Sequence, residues 1–297
     1  MNKIYEEQLN RYIELTDKSL KEFLSKEGDS EAQSKLVEAM RYSLEAGGKR
    51  VRPVLVYAFC EALGGNFKDA VTAACAIEMI HTFSLIHDDL PAMDDDDYRR
   101  GKPSCHKAYG EAMAILAGDA LSVLPFEMNA DDANLSPEQK ISIVSLLANA
   151  VGKDGMIGGQ VMDMAYEKRT DITDEMLRAM YRNKTGQLIA VSCVMGGICA
   201  DADRDKLRTA AEYGFRLGLA FQIIDDILDV TGTAAEMGKL TGSDEKDEKT
   251  TFVTIYGVEK AQEIADQITN EALEWLGDFE NTGFLKELTE LLLRRKK

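Results

Sequence analysis

Proline, histidine and cysteine are all scarce: five, three and five residues in a chain of 297. Proline breaks helix interiors, so its scarcity leaves long segments free to be helical. His81, His87 and His106 are too sparse for a typical zinc site. Cys60, Cys75, Cys105, Cys193 and Cys199 are odd in number and show no C-x-x-C spacing, which argues against a zinc cluster or a disulfide framework. Buried free thiols in a reducing cytoplasm are the expectation, and a cytoplasmic location with it. Basic residues are outnumbered, 35 against 52, for a net charge of −17. That excludes a general nucleic-acid or anionic-membrane surface, although not a small anionic substrate. No unbroken apolar run approaches the ~18 residues of a membrane helix, so no stable membrane insertion is expected. "IAVSCVMGGICA" (189–200) is instead read as a buried helix. The opening "MNKIYEEQLNRYIEL" is charged and amphipathic, unlike a secretory signal. Also absent are a P-loop, a G-x-G-x-x-G after a strand and a G-x-S-x-G elbow.

Sustained Val/Ile/Thr alternation is missing too, so no sheet is expected. Apolar residues at three- and four-residue steps run through 5–24, 32–46, 53–63, 68–90, 106–128, 137–151, 174–181, 184–199, 203–229 and 258–276, the pattern of amphipathic or buried helices. Breaks fall at 64–67, 101–104, 129–138, 152–159 and 232–250, none of them a long low-complexity linker, and no repeat of fixed period is present. With 45% apolar and 29% charged residues, the chain reads as globular. The fold expected is all-α, one domain over 1–297, a large helical bundle in which several helices are apolar most of the way round and therefore central.

Against this background, "HDDLPAMDDDDYRRGK" (87–102) concentrates six aspartates within ten positions and sets two arginines beside them. Like charges at short range repel, and something must offset that. Taken alone, Asp94–Asp97 reads as a solvated acidic surface. Asp88, however, shares a helical stripe with Glu78, His81 and Ser84 or Leu85. A second cluster lies in "FQIIDDILDV" (221–230), where Asp225 and Asp229 are one turn apart and Gln222 precedes them on that face. Two carboxylates there can reach one cation, or Asp225, Asp226 and Asp229 can belong to a structural ion-pair network. Carboxylates in an otherwise apolar helix need partners in either case. Isolated cations complete the pattern: Lys49, Arg50 and Arg52 in "GGKRVRP", Arg99 and Arg100, Lys184 with Thr185, Lys239 and Lys249. Hard aspartate oxygens suit Mg²⁺, which is usually shared with substrate phosphates, and arginine forks fit phosphate. A metal-bound diphosphate among apolar helices favours loss of diphosphate, with the carbocation left behind shielded from water.

"DDLPAMD" (88–94), "RRG" (99–101), "GGKRVRP" (47–53), "KTG" (184–186), "GGQ" (158–160) and "FQIIDDILD" (221–229) resemble the short-chain trans-isoprenyl diphosphate synthases, most closely the bacterial farnesyl type, in consistent order from about residue 40 to 257. The resemblance implies an isoprenoid synthase fold around a deep central cavity, usually a homodimer. It implies head-to-tail condensation of isopentenyl diphosphate with dimethylallyl and then geranyl diphosphate. Asp88, Asp89 and Asp94 would bind two Mg²⁺ with the allylic diphosphate and Asp225, with Asp229, a third; Mn²⁺ could serve as well. Arg99, Lys184, Thr185, Gln222 and Lys239 would hold the allylic diphosphate, and Lys249 would close on it. Lys49, Arg52, His81 and Arg100 would hold isopentenyl diphosphate. The released diphosphate would take the final proton. Phe83, with Ser84 and the deeper Ile80, would form the floor that sets product length. One departure is Glu248, where the family often has glycine before the last lysine.

Three other readings remain. A geranyl or geranylgeranyl diphosphate synthase would carry the same catalytic motifs. A terpene cyclase shares the first aspartate motif but has no need of a second-substrate pocket. A regulatory subunit of a prenyl synthase would be expected to lose a motif, and both are intact here.

Overall fold

Local chemistry fixes where the helices start. The Asn2 side chain accepts the Tyr5 N–H to open α1 (Lys3–Phe23), and Ser30 caps α2 (Glu31–Leu44) through Gln33. Ser136 and Gln139 form a reciprocal capping box at α7 (Pro137–Val151), with Pro137 at the first helical position. These helices belong to a computed structural model that describes residues 1–231 and 249–293. Between them lie α3 (Val51–Ala62), a 3₁₀ turn (Phe67–Ala70) leading into α4 (Val71–Asp88), α5 (Cys105–Tyr109) and α6 (Glu111–Asp131). After α7 come α8 (Met156–Tyr166), α9 (Asp174–Tyr181), a π-helical segment (Arg182–Gly186), α10 (Gln187–Cys199) and α11 (Arg204–Thr231). The described chain resumes with α12 (Phe252–Tyr256), α13 (Val258–Trp275) and α14 (Gly283–Leu293).

The all-α expectation holds. The helices apolar on every side are the central ones. Every residue of α10 from Leu188 to Cys199 is buried, and α10 packs on α3, α7 and α11. The stretch Phe67–Asp88 contains an 18-residue window with the hydropathy of a membrane span, yet 72% of that window is buried inside the protein, as a core helix requires. Its apolar surface meets α3 and α6. All five cysteines are buried free thiols, and burial pushes Cys60 up to about 12, well above the range of reactive thiols.

Several boundaries differ from the periodicity reading. The helix read over 106–128 is divided at Gly110 into α5 and α6. The stretch 152–159, read as a break, contains the start of α8. The 184–199 helix begins inside the π segment. A two-stranded antiparallel hairpin, β1 (Tyr98–Arg99) and β2 (Lys102–Pro103), pairs Tyr98 with Pro103 and Arg99 with Lys102. It is too short to show any alternation in sequence.

Candidate active site

A cavity of about 520 Å³ opens between two sides of the helical bundle. One side is built from the 48–52 turn, α4 and the β-hairpin; the other from α8, α9, the π segment, α11 and residues 249–251. The α4 stripe read from sequence faces it, since Glu78, His81, Leu85 and Asp88 all line the wall. Asp88 is the last residue of α4, and the Asp94 N–H donates to its carbonyl at 2.9 Å, so the chain curls back and brings the second aspartate to the helix end. Burial pushes the Asp88 carboxyl up to about 6; Lys184 opposes the shift and Asp94 adds to it. Asp95, Asp96 and Asp97 are exposed, as solvated acids are.

Not every residue of the two arginine motifs points at the cavity in the same way. Arg50 is 4% exposed and fully engaged within the protein. It pairs with Asp17 at 2.9 Å and Glu78 at 2.8 Å and donates to the Leu44 carbonyl at 2.6 Å. It holds a left-handed backbone, φ +49°, at the start of α3. Lys49 and Arg52 flank it on the cavity wall, and Lys49 is exposed. Gly48 has φ +127°, and a Cβ there would meet the Arg100 guanidinium at 2.6 Å. The missing side chain therefore lets Arg100 lie over the turn, where it donates to the Gly47 carbonyl. That contact joins the "GGKR" turn to the "RRG" hairpin and gathers Arg52, Arg100 and His81. Burial and these arginines hold His81 well below the usual imidazole range, so it is neutral near pH 7. Arg52 drops to about 10, mainly through burial, and its Nε is buried without a hydrogen-bond partner in the protein.

Asp89 and Arg99 are paired with each other: Asp89 is buried and accepts from Arg99 Nε at 2.9 Å, and Arg99 reaches Asp96 at 3.1 Å. Across the cavity, Lys184 pairs with Asp163 of α8 at 2.5 Å. The sequence reading missed Asp163, three residues after the quoted "GGQ". Gly159 makes the pairing possible. A Cβ at 159 would stand 2.2 Å from the Lys184 backbone nitrogen, so only glycine lets α8 lie against the π segment. Insertions of this type frequently mark functional sites. Thr185 donates to the Gln222 side-chain oxygen at 3.1 Å. Asp225 and Asp229 line the wall, Asp229 being buried, and Lys249 lines it from the other side. Lys239 and Glu248 lie outside the described residues.

The cavity wall does not include Phe83, Ser84 or Ile80. Phe83 and Ile80 are buried. Phe83 stacks edge-on against His87, with ring centroids 5.8 Å apart, and His87 Nε2 lies 3.1 Å from the Ile115 carbonyl of α6. Phe83 thus belongs to the α6-facing side of α4. Among the described residues, no three acidic, histidine or cysteine side chains come close enough to hold an ion by themselves. Mg²⁺ keeps waters and takes substrate phosphate oxygens, so a carboxylate set completed by a ligand fits it. Aspartates from both sides facing one cavity, one of them with a desolvated carboxyl, are such a set.

Residues 33–292 match the family described as Polyprenyl synthetase. A chloroplastic geranylgeranyl pyrophosphate synthase of Capsicum annuum is 45% identical over 245 residues, which is 82% of this chain and 66% of that protein's length. A farnesyl diphosphate synthase of Bacillus subtilis (strain 168) is 42% identical over 263 residues, 88% of each chain. The apo crystal structure of an FPP/GFPP synthase from Zymomonas mobilis superposes with a TM-score of 0.87 at 34% identity, covering 97% of this chain and 98% of that one.

Proposed function

The chain belongs to the polyprenyl synthetase family, and on that premise we propose that it is a short-chain prenyltransferase that lengthens an allylic diphosphate with isopentenyl diphosphate, using residues 1–297 as one domain. The observation that carries this is the arrangement of two unlike anion seats in one cavity. Lys49, Arg52, His81 and Arg100 form a cationic seat, suited to isopentenyl diphosphate, on a wall whose one buried carboxylate, Glu78, is paired with Arg50. Lys184, Thr185, Gln222 and Lys249, with Arg99, face the aspartates and form a seat for the allylic diphosphate. Asp88, Asp94 and Asp225, with Asp89 and Asp229, would hold Mg²⁺, which when bound supplies positive charge for the departing diphosphate. Lys184 adds charge to the same leaving group. Neutral His81 can hydrogen-bond a diphosphate oxygen without adding charge. As the allylic C–O bond breaks, its electron pair leaves with the diphosphate. The double bond of isopentenyl diphosphate attacks the allylic carbon, and the released diphosphate takes the proton lost in forming the new double bond.

Calorimetry separates the two seats. Isopentenyl diphosphate is expected to bind in the presence of EDTA, whereas a non-ionisable thiolo analogue of dimethylallyl diphosphate binds only with Mg²⁺. Equal metal dependence of the two would contradict the division.

For the product we propose (2E,6E)-farnesyl diphosphate, made through geranyl diphosphate. The support is the resemblance, in which a bulky residue five positions before Asp88, here Phe83, forms the floor; in the structure Phe83 packs toward α6 and is not part of the cavity wall. The geranylgeranyl reading is favoured by relatives such as the Capsicum protein. Phe83→Ala is expected to shift the main product to twenty carbons or more, measured by chromatography of the dephosphorylated alcohols. An unchanged product would place the floor elsewhere.

A homodimer completes the reading. Ile115, Leu116 and Val123 of α6, Ile141 of α7 and Val161 of α8 are exposed apolar residues on helices that pack in that order. Light scattering is expected to give twice the 32.9 kDa chain mass, and Leu116→Lys with Val161→Lys to give the single-chain mass. A dimer unaffected by both lysines would place the interface on another face.

A further inference from the structure

Asp225, Asp226 and Asp229 of α11 all line the cavity, but the oxygens of the middle one are taken up by neighbouring elements. Asp226 is 2% exposed. Its Oδ2 accepts the Tyr181 hydroxyl at 2.7 Å and the backbone N–H of Phe252 at 3.1 Å. Its Oδ1 accepts the Gln222 side-chain amide at 3.4 Å. A buried carboxylate needs donors of this kind, and here they come from the end of α9, the start of α12 and α11 itself. The pattern also orients Gln222. An ionised carboxylate only accepts, so the Gln222 amino group faces Asp226 and its oxygen faces Thr185, whose hydroxyl donates to it at 3.1 Å.

We propose that Asp226 is a positioning residue for the allylic side of the cavity: it latches the start of α12 and Tyr181 to α11, and it fixes the direction in which the Gln222 amide points. The proposal rests on the two-seat reading above. Residues 249–251, which line the cavity, run directly into this latch. Thr251 caps α12 by accepting the Thr254 N–H, and the Thr250 hydroxyl donates to the Arg169 carbonyl at 3.2 Å. The described stretch carrying Lys249 is therefore held on one side by Asp226 and on the other by the loop before α9. Lys49, Arg52, His81 and Arg100 stand on α3, α4, the hairpin and the turn before α3. Loss of the latch should therefore disturb one substrate and spare the other.

The test uses the full chain with Asp226→Ala, Asp226→Asn, Tyr181→Phe and, for comparison, Asp225→Ala. In Asp226→Ala the KM for the allylic diphosphate is expected to rise about ten- to a hundredfold, the range set by losing charge-assisted hydrogen bonds, while the KM for isopentenyl diphosphate stays within about twofold. Asp226→Asn recovers only the share of that loss due to the latch, because the asparagine oxygen takes the Tyr181 and Phe252 donors, while its amino group forces the Gln222 amide to reverse and the share due to Gln222 remains lost. Tyr181→Phe alone raises the allylic KM a few-fold, and the Asp226→Ala/Tyr181→Phe double variant is no worse than Asp226→Ala, since both changes remove one network. Amide exchange of the 252–256 segment, read by mass spectrometry without substrate, is expected to accelerate in Asp226→Ala and to match the wild type in Asp225→Ala. Unchanged exchange in Asp226→Ala, or parallel rises in both KM values, would overturn the proposal. If the wild-type protein forms no prenyl product, the two-seat reading fails on its own, and the exchange measurement still decides the latch. If Asp226→Ala does not fold, the asparagine and phenylalanine variants carry the same comparison.

Discussion

Replacing Asp88 by alanine is expected to lower kcat by roughly a thousandfold or more, the scale of losing a group that stabilises leaving-group charge, with the fold intact. The second half of that expectation comes from the site's electrostatics. Burial pushes the Asp88 carboxyl up to about 6. An acid whose folded pKa lies above its unfolded value binds its proton more tightly when folded, so its charge works against stability above that pH. Removing the carboxyl should therefore leave stability at pH 7 to 8 unchanged or slightly raised, as expected where a site is built for function at the expense of stability. Asp225→Ala is expected to give a similar loss of turnover from the opposite wall. Urea unfolding of each variant, run beside the turnover assay, checks both halves. Near-normal turnover in either variant would remove the metal-binding assignment. A parallel loss of stability would show that the side chain supports the fold instead.

Arg50→Ala is expected to destabilise the protein by about 3–5 kcal/mol, the usual penalty for breaking a buried ion pair from one side. Glu78, 1% exposed, would keep its charge and lose its partner, and the Leu44 carbonyl would lose its donor. A domain with ordinary net stability of roughly 5–15 kcal/mol survives that only narrowly. Arg50→Met combined with Glu78→Gln should recover part of the loss, because no unpaired charge remains. Equilibrium urea unfolding measures both. A change of less than about 1 kcal/mol in Arg50→Ala would mean that water replaces the guanidinium readily. The same single variant should weaken isopentenyl diphosphate, since Arg50 holds the turn that presents Lys49 and Arg52.

The parts legible in sequence were those in which chemistry and period agree. The stripe through His81 and Asp88 was readable because α4 is one regular helix whose charged residues recur at helical steps. The pair Asp225 and Asp229 was readable for the same reason. Glycine misled the reading of 152–159, where Gly159 is a helical residue that gives α8 its close approach to the π segment. The same misreading hid Asp163, which becomes notable only when folding sets it against Lys184. Three basic residues in "GGKRVRP" look alike as a string. All three line the cavity, but burial and its partners Asp17, Glu78 and the Leu44 carbonyl separate Arg50, which holds the structure, from Lys49 and Arg52. Asp226 lines the same cavity as Asp225 and Asp229, but one residue along a helix turns a side chain about 100°, and its oxygens reach Tyr181 and Phe252. The hairpin at 98–103, α12 and α14 are set by tertiary contacts or are too short for periodicity to register.

The measurement that bears most directly on the whole reading is one incubation. Purified protein, Mg²⁺, dimethylallyl diphosphate and labelled isopentenyl diphosphate are combined, and the dephosphorylated products are separated by chain length beside an Asp225→Ala control. A dominant fifteen-carbon alcohol in the wild type, absent from the control, is the expected result. No incorporation of label by folded protein with metal present would contradict prenyl transfer itself and would favour a non-catalytic, regulatory role.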